Sequence, residues 1–219
     1  MKKILVIFLL YPVIFFGQDK SFELGLLFGG SINSFNGESE YSKKTLQPVG
    51  GILMQYNFND RFSLKSKLLY HIKGAKRSLI YTDITGNIIG KFDDHYDLHY
   101  LTFPLLAQMN FGKNKWSFFC NSGAYFGFLL HEENVVDFEP LFPAITNTTD
   151  DFNSLDFGLI LGSGVSFQMR ERVKIFLELS FDHSLDNVSK KSPVALTQAI
   201  TGSIGMAYNF PIKKKTFNG

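Results

Sequence analysis

The sequence holds one cysteine, one tryptophan and no marked excess of either charge. Cys120 alone cannot form an internal disulfide or a thiolate metal cluster, which excludes disulfide-stapled and zinc-ribbon scaffolds. Lysine and arginine number 22, and aspartate and glutamate 20. Lys2 and Lys3 lie in a segment that we expect to be removed. Without them, basic and acidic residues are equal in number. Nucleic-acid-binding domains usually carry a basic excess, so we expect no nucleic-acid partner.

A long apolar run occurs only at the start of the chain. The chain begins with a short basic segment at residues 1–3. An almost wholly apolar run follows at residues 4–16, and residues 17–19 are small or polar. The run is shorter than the roughly 20 residues that a membrane-spanning helix needs. This layout is typical of a secretory signal peptide. We predict that residues 1–17 are cleaved and that residues 18–219 form one domain.

From residue 22 onward, apolar residues recur with a period of two, which is typical of strands with two unlike faces. In residues 173–182 one face is wholly apolar, while four of the five residues on the other face are polar. Seven further segments alternate in the same way. The eight predicted strands are 22–33, 49–58, 62–73, 100–111, 116–130, 155–168, 173–182 and 196–210. Most reach the roughly 9 to 11 residues that a tilted strand needs to cross a bilayer.

Alternation alone does not say which face lies inside, because a soluble sandwich and a membrane barrel both produce it. Two features favour the barrel. The polar face is rich in glycine, alanine and serine, which suit the narrow interior of eight strands. Short and long connections also alternate, as in transmembrane barrels. The short connections are 59–61, 112–115 and 169–172, and the long ones are 34–48, 74–99, 131–154 and 183–195.

Aromatic residues near the strand ends are a third feature. Those beside the short connections predict a girdle at the periplasmic membrane interface; they are Phe58, Phe62, Phe111, Trp116 and Phe167. Those near the opposite strand ends predict a second girdle; they are Tyr70, Tyr100, Phe126, Phe128 and Phe181. A sheet in lipid must close, since unpaired backbone groups are costly there. We therefore predict an all-β fold, an eight-stranded antiparallel up-and-down transmembrane barrel in contact with outer-membrane lipid.

Seven charged residues fall on the face predicted to line the lumen. They are Glu23, Lys65, Lys67, Asp156, Lys174, Glu178 and Asp182. Buried charges must be paired, so we expect a structural polar network, with a substrate or ion path as the alternative. An eight-stranded barrel has room for little but its own side chains, so porin activity is not expected.

Three stretches resemble the PorT-like outer-membrane β-barrel family of Bacteroidetes: FNDRFSLKSKLLYHIKGAK from Phe58, HYLTFPLLAQ at 99–108 and DFGLILGSG at 156–164. The likeness covers roughly residues 20–210 and implies a barrel in the outer membrane of a Gram-negative bacterium. Lys67 stands where the family has an acidic residue, and Ser180 where it has a basic one. Glu178 is kept, which implies that an inward charge pair is rewired.

The five histidines lie at or near strand ends beside the long connections; they are His71, His95, His99, His131 and His183. Some small outer-membrane barrels are enzymes with histidine, serine and acidic residues at this rim. His183, Ser184 and Asp186 suggest such a trio, yet residues adjacent in a loop rarely form a triad. We therefore predict no catalytic residue, no cofactor and no metal ligand.

The expected function is that of a non-enzymatic outer-membrane barrel with a filled lumen. Its outer loops would serve envelope structure or bind an extracellular or envelope protein. Two alternatives remain open. One is a lipid-modifying hydrolase or acyltransferase of the outer membrane, and the other is a soluble periplasmic barrel that binds a ligand.

Overall fold

The computed structural model describes residues 20–37, 43–112, 115–139, 144–146, 153–188, 190 and 195–212. The predicted signal peptide and its cleavage site lie outside these residues. The described residues form nine strands: β1 (Ser21–Gly37), β2 (Lys43–Asn57), β3 (Phe62–Thr82), β4 (Ile88–Phe111), β5 (Trp116–Glu139), β6 (Ala144–Thr146), β7 (Leu155–Arg170), β8 (Val173–Ser184) and β9 (Ala195–Pro211). No helix within the described ranges is long and apolar enough to cross a membrane.

Eight of these strands close into an antiparallel barrel. Neighbours in sequence pair with each other, except that β5 pairs with β7 and the short β6 is added to β5. Pairing of β1 with β9 joins the first strand to the last along its whole length, from Ser21–Pro211 to Gly37–Ala195. The predicted fold class is confirmed.

The period-two pattern sets the two faces of the barrel wall. On β8, Leu177 is 54% exposed on the outside, whereas its neighbour Glu178 is 4% exposed inside. Successive side chains on a strand point to opposite faces, so one alternating sequence supplies both surfaces. Large apolar side chains consequently cover the outer face of all eight barrel strands, as predicted.

The two ends of the barrel differ. One end carries the tight connections after Asn57, Phe111 and Arg170, together with Ser21 and Pro211; we call it the short-turn end. The opposite end carries the remaining connections, and we call it the long-loop end. The three predicted short connections lie at the short-turn end, whereas the β3–β4 connection, predicted to be long, is only the turn 83–87.

Three strands run much further than predicted at the long-loop end. β3 has 21 residues, and β4 and β5 have 24 each, about twice the length that crosses a bilayer. Residues 77–82, 88–97, 132–139 and 144–146 form what we call the projecting sheet. The prediction of long loops over 74–99 and 131–154 is therefore wrong for 74–82, 88–99, 131–139 and 144–146. Alternation fails there because a strand beyond the lipid needs no apolar face, while its backbone can still pair.

The β3–β4 hairpin turn at the tip of the projecting sheet is organised by one carboxylate. Asp83 Oδ1 accepts hydrogen bonds from the Thr85 hydroxyl (2.6 Å) and the Asn87 backbone N–H (2.8 Å). Gly86 has a φ of 87°, a conformation that suits glycine. The Thr85 hydroxyl, followed by the Asn87 N–H, lowers the pKa of Asp83 from 3.8 to about 2.

Pro104 interrupts one of its two strand pairings. β3 and β4 pair at Ser66–Leu105 and again at Leu69–Thr102, with no change of register. On the other side, Pro104 continues the β4–β5 pairing opposite Tyr125. Proline lacks an N–H, so it cannot contribute a donor to the ladder.

Candidate functional site

The centre of the lumen is occupied by one carboxylate with three donors. Glu178 accepts hydrogen bonds from Lys65 Nζ at 3.1 Å, Lys67 Nζ at 2.8 Å and Asn121 Nδ2 at 3.0 Å. All four side chains are buried. The lysines lie two residues apart on β3, which puts both on its inner face. The structure thus brings together three of the predicted lumen residues across the barrel.

A second cluster surrounds Asp156. Lys73 Nζ lies 2.8 Å from its carboxylate, and the hydroxyls of Ser184, Thr197 and Tyr125 donate to it at 2.7 to 3.2 Å. Lys73 is missing from the predicted lumen network, although it shares the inward parity of Lys65 and Lys67. The same alternation could therefore have identified it.

A third charged cluster, in which Lys174 pairs with Glu23, lies nearer the short-turn end. Asn57 Nδ2 also donates to Glu23, at 2.8 Å. Asp182, the last predicted lumen residue, is buried but has no lysine within ion-pair distance in the described part of the chain. The closest approach between its carboxylate and a basic side chain is 4.0 Å, to His71 Nδ1.

Between these polar groups, aromatic rings fill the lumen. Phe119 and Phe176 are buried in an apolar cluster with Leu27, Val49, Leu53 and Leu69. Lys65 Nζ lies 4.5 Å from the centroid of the Phe119 ring. Phe176 lies over Gly205, where any Cβ would collide with the ring. Glycine on the inner face therefore makes room for a large neighbour.

The residues predicted for the periplasmic girdle lie together on the outer face at the short-turn end. Phe58, Phe62, Phe111 and Trp116 are exposed there, and Phe167 packs against Trp116 with ring centroids 4.8 Å apart. The prediction omitted further aromatic side chains of this belt, among them Phe22, Tyr56, Tyr208 and Phe210. They lie at outward-facing positions of their strands, so the alternation of the sequence could have identified them.

The prediction of the second girdle is wrong for one residue, Tyr100. Tyr100 is 0% exposed and faces the lumen, where its ring centroid lies 5.7 Å from Lys73 Nζ. Its neighbour Leu101 faces outward with Phe103, so the period of two requires Tyr100 to face inward. Tyr70, Phe126, Phe128 and Phe181 are exposed on the outer face.

The trio His183, Ser184 and Asp186 does not assemble as a catalytic group. Ser184 is buried, and its hydroxyl donates to the Asp156 carboxylate and to the backbone oxygen of Asp186. His183 Nδ1 instead contacts Gln198 Nε2 at 3.0 Å. Ser184 and His183 are consecutive on β8, so they point to opposite sides of the barrel wall.

The remaining histidines differ in environment. His71 is buried in the lumen, where Nε2 contacts the Ser31 hydroxyl at 3.0 Å. His99 and His131 stack on the outer face with ring centroids 4.0 Å apart. The side chain of His95 lies outside the described part. His71, His99 and His131 stand within strands rather than at strand ends, because β3, β4 and β5 are longer than predicted.

Comparison with known proteins gives a family and several structural likenesses. Neisserial surface protein A is 14% identical, with a TM-score of 0.48, over 86% of this chain and 97% of its own. The attachment invasion locus protein Ail of Yersinia pestis is 14% identical, with a TM-score of 0.42, over 89% and 100%. Outer membrane protein W of E. coli is 14% identical, with a TM-score of 0.44, over 90% and 100%.

No curated protein matches the sequence. A family model described as an outer membrane protein beta-barrel domain matches residues 16–190, which is most of the chain. The apolar outer face and the closed sheet described above are what such a domain requires. The chain belongs to the outer membrane protein beta-barrel domain family.

Proposed function

We propose that this outer-membrane barrel is a non-enzymatic, non-conducting protein that presents the projecting sheet to an envelope or extracellular protein. The observation that carries the proposal is the pair of salt bridges that Lys65 and Lys67 make with Glu178 at the centre of the lumen. The polar network then has a structural role, since it ties β3 to β8 across the barrel.

The energetics of buried charge support a closed lumen. An ion passing through would have to separate Glu178 from its two lysines, and a buried charge that loses its partner costs several kcal/mol. The interior of eight strands is only wide enough for side chains. Asp156, Lys73 and the neighbouring hydroxyls occupy a further level of the same interior.

Conductance across a planar lipid bilayer tests the closed lumen. We expect the folded, reconstituted protein to give no stable channel steps at neutral pH. A large porin reconstituted in the same bilayers serves as the positive control. Reproducible unitary conductance from the purified barrel would contradict the proposal.

The projecting sheet is the part of the molecule best suited to a protein partner. β3 and β4 stay paired as far as Thr82–Ile88, and β4 and β5 as far as Lys91–Glu139. Ordered strands beyond the bilayer offer a preformed surface, and strand edges can pair with another chain.

A photo-cross-linking residue placed at Thr85, exposed at the hairpin tip, tests this surface in intact cells. We expect a discrete protein adduct at Thr85. The matched control is the same residue at Leu177, on the outer face of β8, which should give no protein adduct. A similar adduct pattern at both positions, or none at Thr85, would contradict the assignment.

The exposed apolar band supports contact with outer-membrane lipid, because soluble monomers rarely expose an apolar area of this extent. Cell fractionation distinguishes the membrane barrel from the soluble periplasmic alternative. We expect recovery only with detergent. Recovery in the soluble periplasmic fraction would favour the ligand-binding barrel.

The lipid-modifying alternative has a direct assay. The burial of Ser184 against Asp156 supports a structural use of this serine. We expect the folded protein to leave lipid A and phospholipid unchanged. Turnover that is lost in His183→Ala would reverse this assignment.

We further propose that the chain is a PorT-like barrel of Bacteroidetes, exported with cleavage of residues 1–17. The 2.8 Å contact of Lys67 with Glu178 supports a rewiring of the family's inward charge pair in this chain. The mass of the mature protein tests the export step. It should correspond to a chain that begins at Gln18, whereas retention of residues 1–17 in the mature barrel would contradict cleavage.

A further inference from the structure

Two histidines and a glutamate meet on the outer face of β4 and β5, towards the long-loop end. His99 of β4 pairs directly with His131 of β5, and their rings stack with an interplanar angle of 11°. His131 Nε2 lies 3.5 Å from Glu133 Oε1. One potential ligand atom from each of the three side chains lies within 4.8 Å of the other two.

A β-bulge in the β4–β5 pairing helps to bring these three side chains together. His99 pairs with His131, but the next residue, Tyr100, pairs with Leu129, which leaves Leu130 as an extra residue on β5. Bulges redirect side chains and are frequent next to functional sites. Glu133 follows His131 by two residues, so it lies on the same face of β5.

His99 is held in an orientation suited to ligand binding. The residue is 8% exposed, its Nδ1 contacts the Tyr70 hydroxyl, and its Nε2 is buried without a hydrogen-bond partner. If Nδ1–H donates to the Tyr70 oxygen, Nε2 carries a free lone pair. Metal-binding histidines are commonly fixed in this way by a hydrogen bond to the second ring nitrogen.

We propose that His99, His131 and Glu133 bind one divalent transition-metal ion of the zinc class. The donors are two imidazole nitrogens and one carboxylate oxygen, a set that zinc accepts with its fourth position open to water or another ligand. The imidazoles favour zinc, nickel or copper over magnesium and calcium, which prefer oxygen ligands. This site is separate from the lumen and goes beyond the proposed function.

Closure around an ion requires His131 to turn out of its stack on His99, because a ring nitrogen binds a metal in the plane of its own ring. Zinc–nitrogen bonds of about 2.0 to 2.1 Å in tetrahedral geometry place ligand atoms roughly 3.3 Å apart. The side chains of His131 and Glu133 are about half exposed, so both can rotate. His99 remains fixed by Tyr70 and supplies the anchored ligand.

Calorimetric titration with Zn²⁺ tests the proposal. The full mature barrel is folded in detergent and purified without a polyhistidine tag. We expect one zinc ion per chain. His131→Ala and Glu133→Gln should each weaken zinc binding at least about tenfold, because even the loss of a residue that only supports a metal ligand typically costs that much affinity. The matched control is His183→Ala, which removes a histidine outside this cluster and should bind zinc as the wild type does.

Three results would overturn the proposal: no zinc binding by the wild-type barrel, unchanged binding by both His131→Ala and Glu133→Gln, or equal affinity for Mg²⁺. The substituted side chains are about half exposed, so their replacement leaves the barrel interior intact. Heat-dependent electrophoretic mobility confirms folding of each variant before titration. Tyr70→Phe adds a test of positioning, and binding should weaken without loss of the one-to-one stoichiometry.

Discussion

Lys67 on β3 and Glu178 on β8 meet across the lumen at 2.8 Å, although 111 residues separate them in the chain. Lys65 binds the other carboxylate oxygen of Glu178 at 3.1 Å. One anionic side chain thus pairs with two cations from the opposite wall, whereas each of the carboxylates of Glu23 and Asp156 pairs with a single lysine.

Glu178→Ala should destabilise the barrel strongly, because Lys65 and Lys67 would both remain buried without their carboxylate. We expect a loss of about 3 to 5 kcal/mol, measured by urea unfolding in lipid vesicles. Glu171→Ala, in the exposed β7–β8 turn, is the control and should change the free energy of unfolding little. Similar losses for the two variants would argue against the central role of Glu178.

Leu177→Arg should destabilise the barrel by about 2 to 4 kcal/mol, because the arginine would lie in hydrocarbon on the outer face of β8. Ser180→Ala, on the inner parity of the same strand, should have a much smaller effect. The free energies of unfolding in vesicles provide the measurement. Equal effects would mean that the two faces are wrongly assigned.

Gly205→Ala should cost about 1 to 3 kcal/mol, as expected for overpacking. A Cβ at this position would lie 2.6 Å from the Leu26 carbonyl oxygen and would collide with the Phe176 ring. Gly202→Ala on the same strand is the matched control, since a Cβ there meets nothing within 4 Å. Equal unfolding midpoints of the two variants would contradict the packing of Phe176 over Gly205.

The Asp83 carboxyl should titrate near pH 2 rather than near 3.8, because the Thr85 hydroxyl and the Asn87 N–H stabilise its charged form. Since the pKa is lower in the folded turn, the turn gains stability above about pH 4 and loses it as the pH falls towards 2. Nuclear magnetic resonance of the labelled carboxyl carbon gives the midpoint. A value close to 3.8 would show that these hydrogen bonds do not form in solution.

The local alternation of the sequence was sufficient to find the barrel strands and both of their faces. It assigns Leu177 to the outside and Glu178 to the inside, and it would also have assigned Tyr100 and Lys73 to the inside. It failed at the ends of β3, β4 and β5, where no lipid requires an apolar face but backbone pairing continues.

The choice of partners could not be derived in this way. Asp156 accepts hydrogen bonds from Lys73 and three hydroxyls, whereas Asp182, of the same inward parity, lies beside His71 with no described lysine within ion-pair distance. Parity says only that a side chain enters the lumen. Which inward-facing side chains meet at one level of the lumen depends on strand register and barrel closure. Both involve residues that are far apart in the chain.

The sequence by itself determined the eight barrel strands, their lipid-facing side and the inward parity of the lumen charges, because each depends on a repeat of two residues within one strand. Only the tertiary structure decided that Glu178 joins Lys65 and Lys67, and that His99 lies against His131. These contacts depend on how strands align across the sheet and on the extra residue at Leu130. Such alignment is a property of paired strands, which no single segment encodes.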